Sequence, residues 1–307
     1  MTYAALSVAA AIIARLPAAA RVWLGRALGV VAGSVLRIRR ALVESAMARA
    51  GVHDPATAAA EMYASLGQGL VELLWLAGAP ASHRRAAVAR VAIDDASADA
   101  LGDACARGPV VLFASHTGNW ELAAAAAAQL LSARGKRLAV VAKSMHARGV
   151  DAFLRRLRTN IGIDLVAPRG ALASARRALA SGDVVVMPID QVPDGRPIGL
   201  SVPFLGEMAV TDRAPATLAW RMRATVLVVA AERTAGGHRV RVLDVIDPPP
   251  VQERAARTWI DATTARATSR LERFVLRSPA SWMWLHRRWR APRARELPPL
   301  VATRQAG

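Results

Sequence analysis

The spacing of apolar residues changes character along the chain. From residue 4 to 36 apolar positions are nearly continuous, interrupted by Pro17 and by single arginines, and Arg37, Arg39 and Arg40 close the run. That pattern predicts one or two helices broken at the proline. Residues 41–78 continue as helix around a His53-Asp54-Pro55 turn; Tyr63, Leu66, Leu70, Leu73 and Leu74 recur at helical spacing, with Glu72 at the rim of their face. From residue 88 onward short β-branched runs alternate with helical stretches. Strands are expected at 88–93, 110–115, 138–142, 164–166 and 184–188, and helices at 96–106, 119–133, 150–160 and 171–180. Such alternation predicts βαβ units and a mostly parallel central sheet flanked by helices.

Past Asp190 a loop rich in Pro and Gly leads to Val202-Pro203-Phe204-Leu205-Gly206. A helix at 212–223, a strand at 225–230 and an alternating stretch at 239–246, patterned as an edge strand, come next. Three prolines (248–250) end that strand, a long helix is expected at 251–276, and the chain finishes in an aromatic-basic segment around residues 282–290. The economical division is a helical lead, 1–40, and one α/β domain, 41–307.

Within this frame residues 109–121, PVVLFASHTGNWE, stand out. An apolar strand delivers His116 to its C-terminal end, and a helix carrying Glu121 in its first turn leaves directly behind it. Chemistry in open α/β sheets gathers at the carboxyl ends of strands. His116 with Glu121 therefore reads as a general base with a carboxylate to orient it, suited to taking a proton from an alcohol.

Composition narrows the partners. The chain has 307 residues, 53% apolar, with mean hydropathy +0.24, yet the N-terminal apolar run is cut by Arg15, Arg21 and Arg26. A cleaved signal would carry its basic residues before the apolar run, not after it. An uncleaved, membrane-associated helical lead is the expectation, its arginines on anionic phosphates. The formal charge of +18 fits an anionic membrane, acidic ligands or nucleic acid. Only 5% of residues are aromatic and no nucleic-acid-binding motif occurs, so nucleic acid is set aside. The single cysteine, Cys105, rules out an intramolecular disulfide.

No phosphate-binding G-x-x-x-x-G-K-[ST], no H-E-x-x-H and no G-x-S-x-G occurs, and the six histidines lack metal-ligand spacing. No cofactor or metal is called for, and the missing serine or cysteine elbow favours direct attack by a substrate hydroxyl over a covalent acyl-enzyme. Several blocks then carry a family likeness. SHTGNWE with its His-x4-Glu, residues 151–158 (DAFLRRLR), residues 182–191 ending in Asp190-Gln191, the Val202–Gly206 block with Thr211, and Trp284-Leu285-His286-Arg287-Arg288-Trp289 occur in order. Together they resemble the late acyltransferases of lipid A biosynthesis, the lauroyl/myristoyl transferase family. The resemblance implies a glycerolipid-acyltransferase-like fold at the cytoplasmic face of the bacterial inner membrane. It also implies an acyl carrier protein thioester as donor and a hydroxyl of a lipid A precursor or related glycolipid as acceptor. It puts forward His116 and Glu121 as catalytic, and Asn119, Lys143, Arg158, Asp190 and Gln191 as substrate-contacting residues, Arg158 among the donors to the oxyanion. His286, Arg287 and Arg288, with Trp282, Trp284 and Trp289, suit structural or headgroup contact at a bilayer interface. Val141-Ala142-Lys143 stands where the family often has Tyr-Arg-Pro, which leaves another lipid acceptor, such as a lysophospholipid, open. A catalytically silent module binding membrane or carrier protein is the alternative of another class.

Overall fold

The computed structural model describes residues 1–142, 144–166, 170–192, 199–250 and 255–289. Helix α1 (Thr2–Arg15) stops before Pro17, whose ring excludes the α conformation from the residue ahead of it. Helix α2 (Ala18–Val30) runs on through a π-helical turn, Val31–Val35. After α3 (Arg40–Arg49), the Asp54 carboxylate accepts from Thr57 N–H at 3.1 Å and caps α4 (Pro55–Gly78), with Pro55 in the first turn. Gly25, Gly29 and Gly33 form one stripe of α2 and its π turn; a Cβ on Gly29 would overlap the Tyr63 carbonyl, and one on Gly67 would overlap the Gly25 carbonyl. Helix α2 thus turns glycines toward α4 and large side chains outward, Trp23 being 71% exposed. Among the described residues no single helix is long and apolar enough to cross a membrane; residues 18–35 and 40–49 together have the composition but meet at an 88° bend.

Helix α5 (Ala81–Val88) precedes the α/β body: β1 (Ala92–Ile93), α6 (Asp95–Arg107), β2 (Val110–Ala114), α7 (Trp120–Ser132), β3 (Leu138–Val141), α8 (Arg148–Asn160), β4 (Ile163–Val166), α9 (Ala171–Ala180) and β5 (Val184–Pro188). A hairpin of β6 (Gly199–Phe204) and β7 (Glu207–Asp212) follows, then α10 (Ala214–Met222), β8 (Thr225–Thr234), β9 (Gly237–Ile246) and α11 (Ala256–Arg277). The main sheet has the order β1-β9-β8-β2-β5-β3-β4, with β9 antiparallel to β8 and the other pairings parallel. Alternate residues of β2 enter different cores. Val111 and Phe113 pack with Phe204, Trp282 and Trp284 on one side, while Val110 and Leu112 pack with Leu101, Ala128 and Leu131 on the other. Burial on both faces explains the unbroken apolar run.

Three expectations are corrected. Val88 ends helix α5, so only Ala92–Ile93 of the expected 88–93 strand is extended. The 239–246 stretch is not the sheet's edge, because the two-residue β1 pairs with Arg239 and Val240 on its far side. Residues 199–212 form a hairpin turned at Leu205 and Gly206, both at positive φ, where the sequence showed chiefly loop signals.

Candidate active site

Strand register builds the centre of the site. In the parallel β2–β5 pair Ala114 lies opposite Pro188, so His116 and Asp190, each two residues further on, leave the same edge of the sheet side by side. Asp190 Oδ1 lies 2.9 Å from His116 Nδ1, and Asp190 Oδ2 accepts from the His116 backbone N–H at 2.7 Å and from the Trp282 indole N–H at 2.9 Å. The carboxylate, 2% exposed, assigns the Nδ1 proton and leaves Nε2 of a neutral ring as a base. The Gln191 amide nitrogen is 3.2 Å from that Nε2, and the Trp120 ring stands edge-on to the imidazole at 5.1 Å. The turn after His116 passes so close to β8 that a Cβ on Gly118, at φ +55°, would sit 2.8 Å from the Ala231 carbonyl carbon.

Burial disfavours charge on His116, but the Asp190 carboxylate and, further off, Glu121 outweigh it and Arg158, so the imidazole is held above its ordinary 6.5. Burial likewise opposes the Asp190 charge; His116 and the Trp282 donor overcome it and hold the carboxyl at about 2 rather than 3.8.

Glu121 is therefore not the carboxylate hydrogen-bonded to His116. As the second residue of α7 it faces α8, where Arg158 grips it with a fork: Nη2 to Oε1 at 2.5 Å and Nε to Oε2 at 3.0 Å. The pair still acts on His116 through its field. Asn119 is engaged internally at both ends of its amide. Oδ1 caps α7 through Leu122 N–H at 3.1 Å, and Nδ2 donates to Glu72 Oε2 at 2.7 Å. Glu72 belongs to a network rather than a rim: Arg233 donates to both its oxygens (2.6 and 2.8 Å), His238 lies 3.2 Å away, and despite burial its carboxyl is held at about 2. Sequence signals for this network are weak, since its members lie on α4, α7, β8 and β9. Lys143 lies outside the described residues.

Three residues of the C-terminal aromatic-basic segment are interior to the fold, while Arg287 is exposed and Trp289 half-buried. Trp282, Trp284 and Arg288 are at most 1% exposed, so Arg288 makes structural contact and the bilayer-interface expectation is corrected for Trp282 and Trp284. Trp282 and Thr117 form a bridge in which Gly118 N–H donates to Ser281 O (2.7 Å) and Met283 N–H to His116 O (3.1 Å). Arg288 donates to Val210 O at 2.6 Å and Thr211 Oγ1 at 2.5 Å and lies over the Phe204 ring; its Nε has no partner among the described residues, and burial pulls its pKa down to about 10. His286 Nε2 accepts from Val192 N–H at 3.3 Å.

Among the described residues no group of three or more His, Cys, Asp or Glu side chains could hold a metal ion. The fold and site define an α/β protein with a carboxylate-held imidazole at the carboxyl edge of a parallel sheet, an arrangement equipped for proton transfer at a hydroxyl. The family model for bacterial lipid A biosynthesis acyltransferases matches residues 2–291, and the chain belongs to that family; it is an acyltransferase. A comparison with the curated proteins found no match.

Proposed function

We propose that the protein is an O-acyltransferase that moves a fatty acyl chain from an acyl carrier protein thioester to a hydroxyl of a lipid A precursor or related glycolipid, working at the cytoplasmic face of the bacterial inner membrane. The observation that carries this reading is the His116–Asp190 couple at the sheet's carboxyl edge in a chain of this family. His116 Nε2 removes the hydroxyl proton as the oxygen attacks the thioester carbonyl, the substrate taking the place of the Gln191 amide. The imidazolium, stabilised by Asp190, returns the proton to the departing thiolate. Charge on the tetrahedral oxygen needs fixed donors. The Trp120 and Glu121 N–H groups that open α7, ahead of the capped Leu122, are the main-chain candidates, and Arg158, with Nε and Nη2 on Glu121, has Nη1 without a partner among the described residues.

The N-terminal helices supply the membrane contact in this reading. Val22, Trp23, Val30, Val35, Leu36 and Ile38 are all at least 47% exposed, with Arg26, Arg37 and Arg39 exposed among them. A surface apolar at its centre and basic at its margin suits the headgroup boundary of an anionic bilayer. The net charge of +18 suits an acidic carrier protein by complementary potential.

The test is restoration of lipid acylation in a strain lacking the gene, read by mass spectrometry of total lipids. The native protein restores the missing acyl chain and H116A does not. Equal restoration by H116A sinks the mechanism, and an unchanged lipid profile in the deletion strain sinks the substrate class.

A further inference from the structure

The geometry points to Trp282 as a positioning residue that sets the orientation of the Asp190 carboxylate, and through it the basicity of His116. The inference rests on His116 being the base of the proposed reaction, but its physical content is separate.

Residues 278–289, which follow α11, hold both members of the couple. The main chain on either side of Trp282 bonds to the main chain of His116 and Gly118, the indole N–H bonds to Asp190 Oδ2, and His286 accepts from Val192, two residues past Asp190. Of the three donors on the Asp190 carboxylate, two belong to His116 itself. Those two alone let the carboxylate swing together with the histidine turn. Among the described residues only the Trp282 donor ties it to an independent element. The indole is itself fixed: it is 1% exposed and packs edge-on against Phe204 at 5.5 Å and Trp284 at 5.0 Å. A buried N–H in a rigid setting is a preorganised dipole.

The sign of its effect follows from placement. The indole hydrogen sits at Oδ2, the oxygen shared with the His116 main chain and 3.2 Å from Nδ1, and draws carboxylate charge away from the imidazole. Without it the carboxylate attracts the imidazolium more strongly, and His116 becomes a base that stays protonated to higher pH. Among the described residues the charged groups facing the couple are Glu121 on α7, Arg158 on α8 and Arg288 on the same C-terminal segment, and all of them remain when only the indole N–H is removed.

The fold provides a control. Trp284 is equally buried and donates its indole N–H to Pro279 O at 2.8 Å, away from the couple. W282F and W284F therefore delete the same group and leave comparable packing defects. The measurement is the His116 titration by NMR in full-length protein with labelled histidine, assigned with H116N, alongside the pH profile of acyl transfer. In W282F the His116 midpoint moves upward, kcat falls about tenfold or more at neutral pH, and KM for the acyl thioester changes less than about threefold. In W284F the midpoint stays at the native position. The NMR arm stands even if no acyl transfer is found, so a failure of the functional reading remains distinguishable. If W282F does not fold, β-(3-benzothienyl)alanine at position 282 keeps the bicyclic shape while removing the N–H and must give the same upward movement. A native His116 midpoint in either 282 variant, or an equal movement in W284F, overturns the assignment.

Discussion

Replacing Asp190 by Asn changes one atom and tests the centre of the mechanism. The carboxylate accepts three N–H groups, from His116 Nδ1, the His116 main chain and the Trp282 indole. An amide has one acceptor oxygen, so its NH2 group must face at least one of those donors. The imidazole can relieve the clash by moving its proton to Nε2, where the substrate's proton has to be received. Holding the carboxyl at about 2 instead of 3.8 corresponds to roughly 2–3 kcal/mol favouring the charged form, which D190N forfeits at neutral pH. Loss of the reactive tautomer lowers kcat on the order of 10^3–10^4-fold. The pH profile adds a signature. Since the base must be neutral, native kcat/KM climbs through a midpoint above 6.5, and in D190N that midpoint falls, because the chief influence raising it is gone. The assay is acyl transfer from an acyl thioester to lipid between about pH 5 and 9, a span chosen to bracket the unperturbed histidine. A D190N rate within tenfold of native with an unmoved midpoint, alongside an inactive E121Q, would return the orienting role to Glu121.

Other consequences are checked more simply. E121A and R158A each break a largely buried pair and cost about 3 kcal/mol in urea unfolding, while the double variant recovers at least half of their combined loss; strict additivity contradicts a paired role. Asp190 and Glu72, both held at about 2, contribute stability that is complete above about pH 5 and lost as pH falls through 4 toward 2; combining D190N with E72Q flattens that acid limb. His116 has the opposite sign: its contribution is complete below 6.5 and lost as pH rises through its higher folded value. W23E lowers partitioning onto anionic phosphatidylglycerol vesicles on the order of tenfold without changing the fold by circular dichroism, and unchanged partitioning removes Trp23 from the membrane contact.

The strand–helix alternation was legible because β2 and β5 are buried on both faces and read as solid apolar runs. His116 was legible for the same reason, standing just past such a run. The partner of His116 was misread because Asp190 is 74 residues away and becomes its neighbour only through the pairing of β2 with β5, strands separated in sequence by β3 and β4. A clue existed: each residue lies two positions beyond the end of a β-branched apolar strand, β2 at Ala114 and β5 at Pro188. Glu121 looked nearer along the chain, but the start of α7 turns it toward Arg158 on α8. Trp282, Trp284 and Arg288 at the C-terminal end show the opposite case. Their density suggests an interface, yet Arg288 is accommodated inside by the Val210 carbonyl, Thr211 and the Phe204 face, partners that appear only when the β6–β7 hairpin folds over it.

The glycine crossing of α2 on α4 reverses the usual pattern of mutational tolerance. On a helix packed by large side chains, small positions accept change and large ones do not. Here Gly25, Gly29 and Gly33 touch α4 with no room for a methyl group, whereas Val22, Trp23 and Val30 are about half or more exposed. A saturation scan of α2 should find the glycines nearly immutable and the bulky residues exchangeable for any side chain of similar polarity. The helix would then be recognised in a family by what it lacks on one side rather than by what it displays on the other.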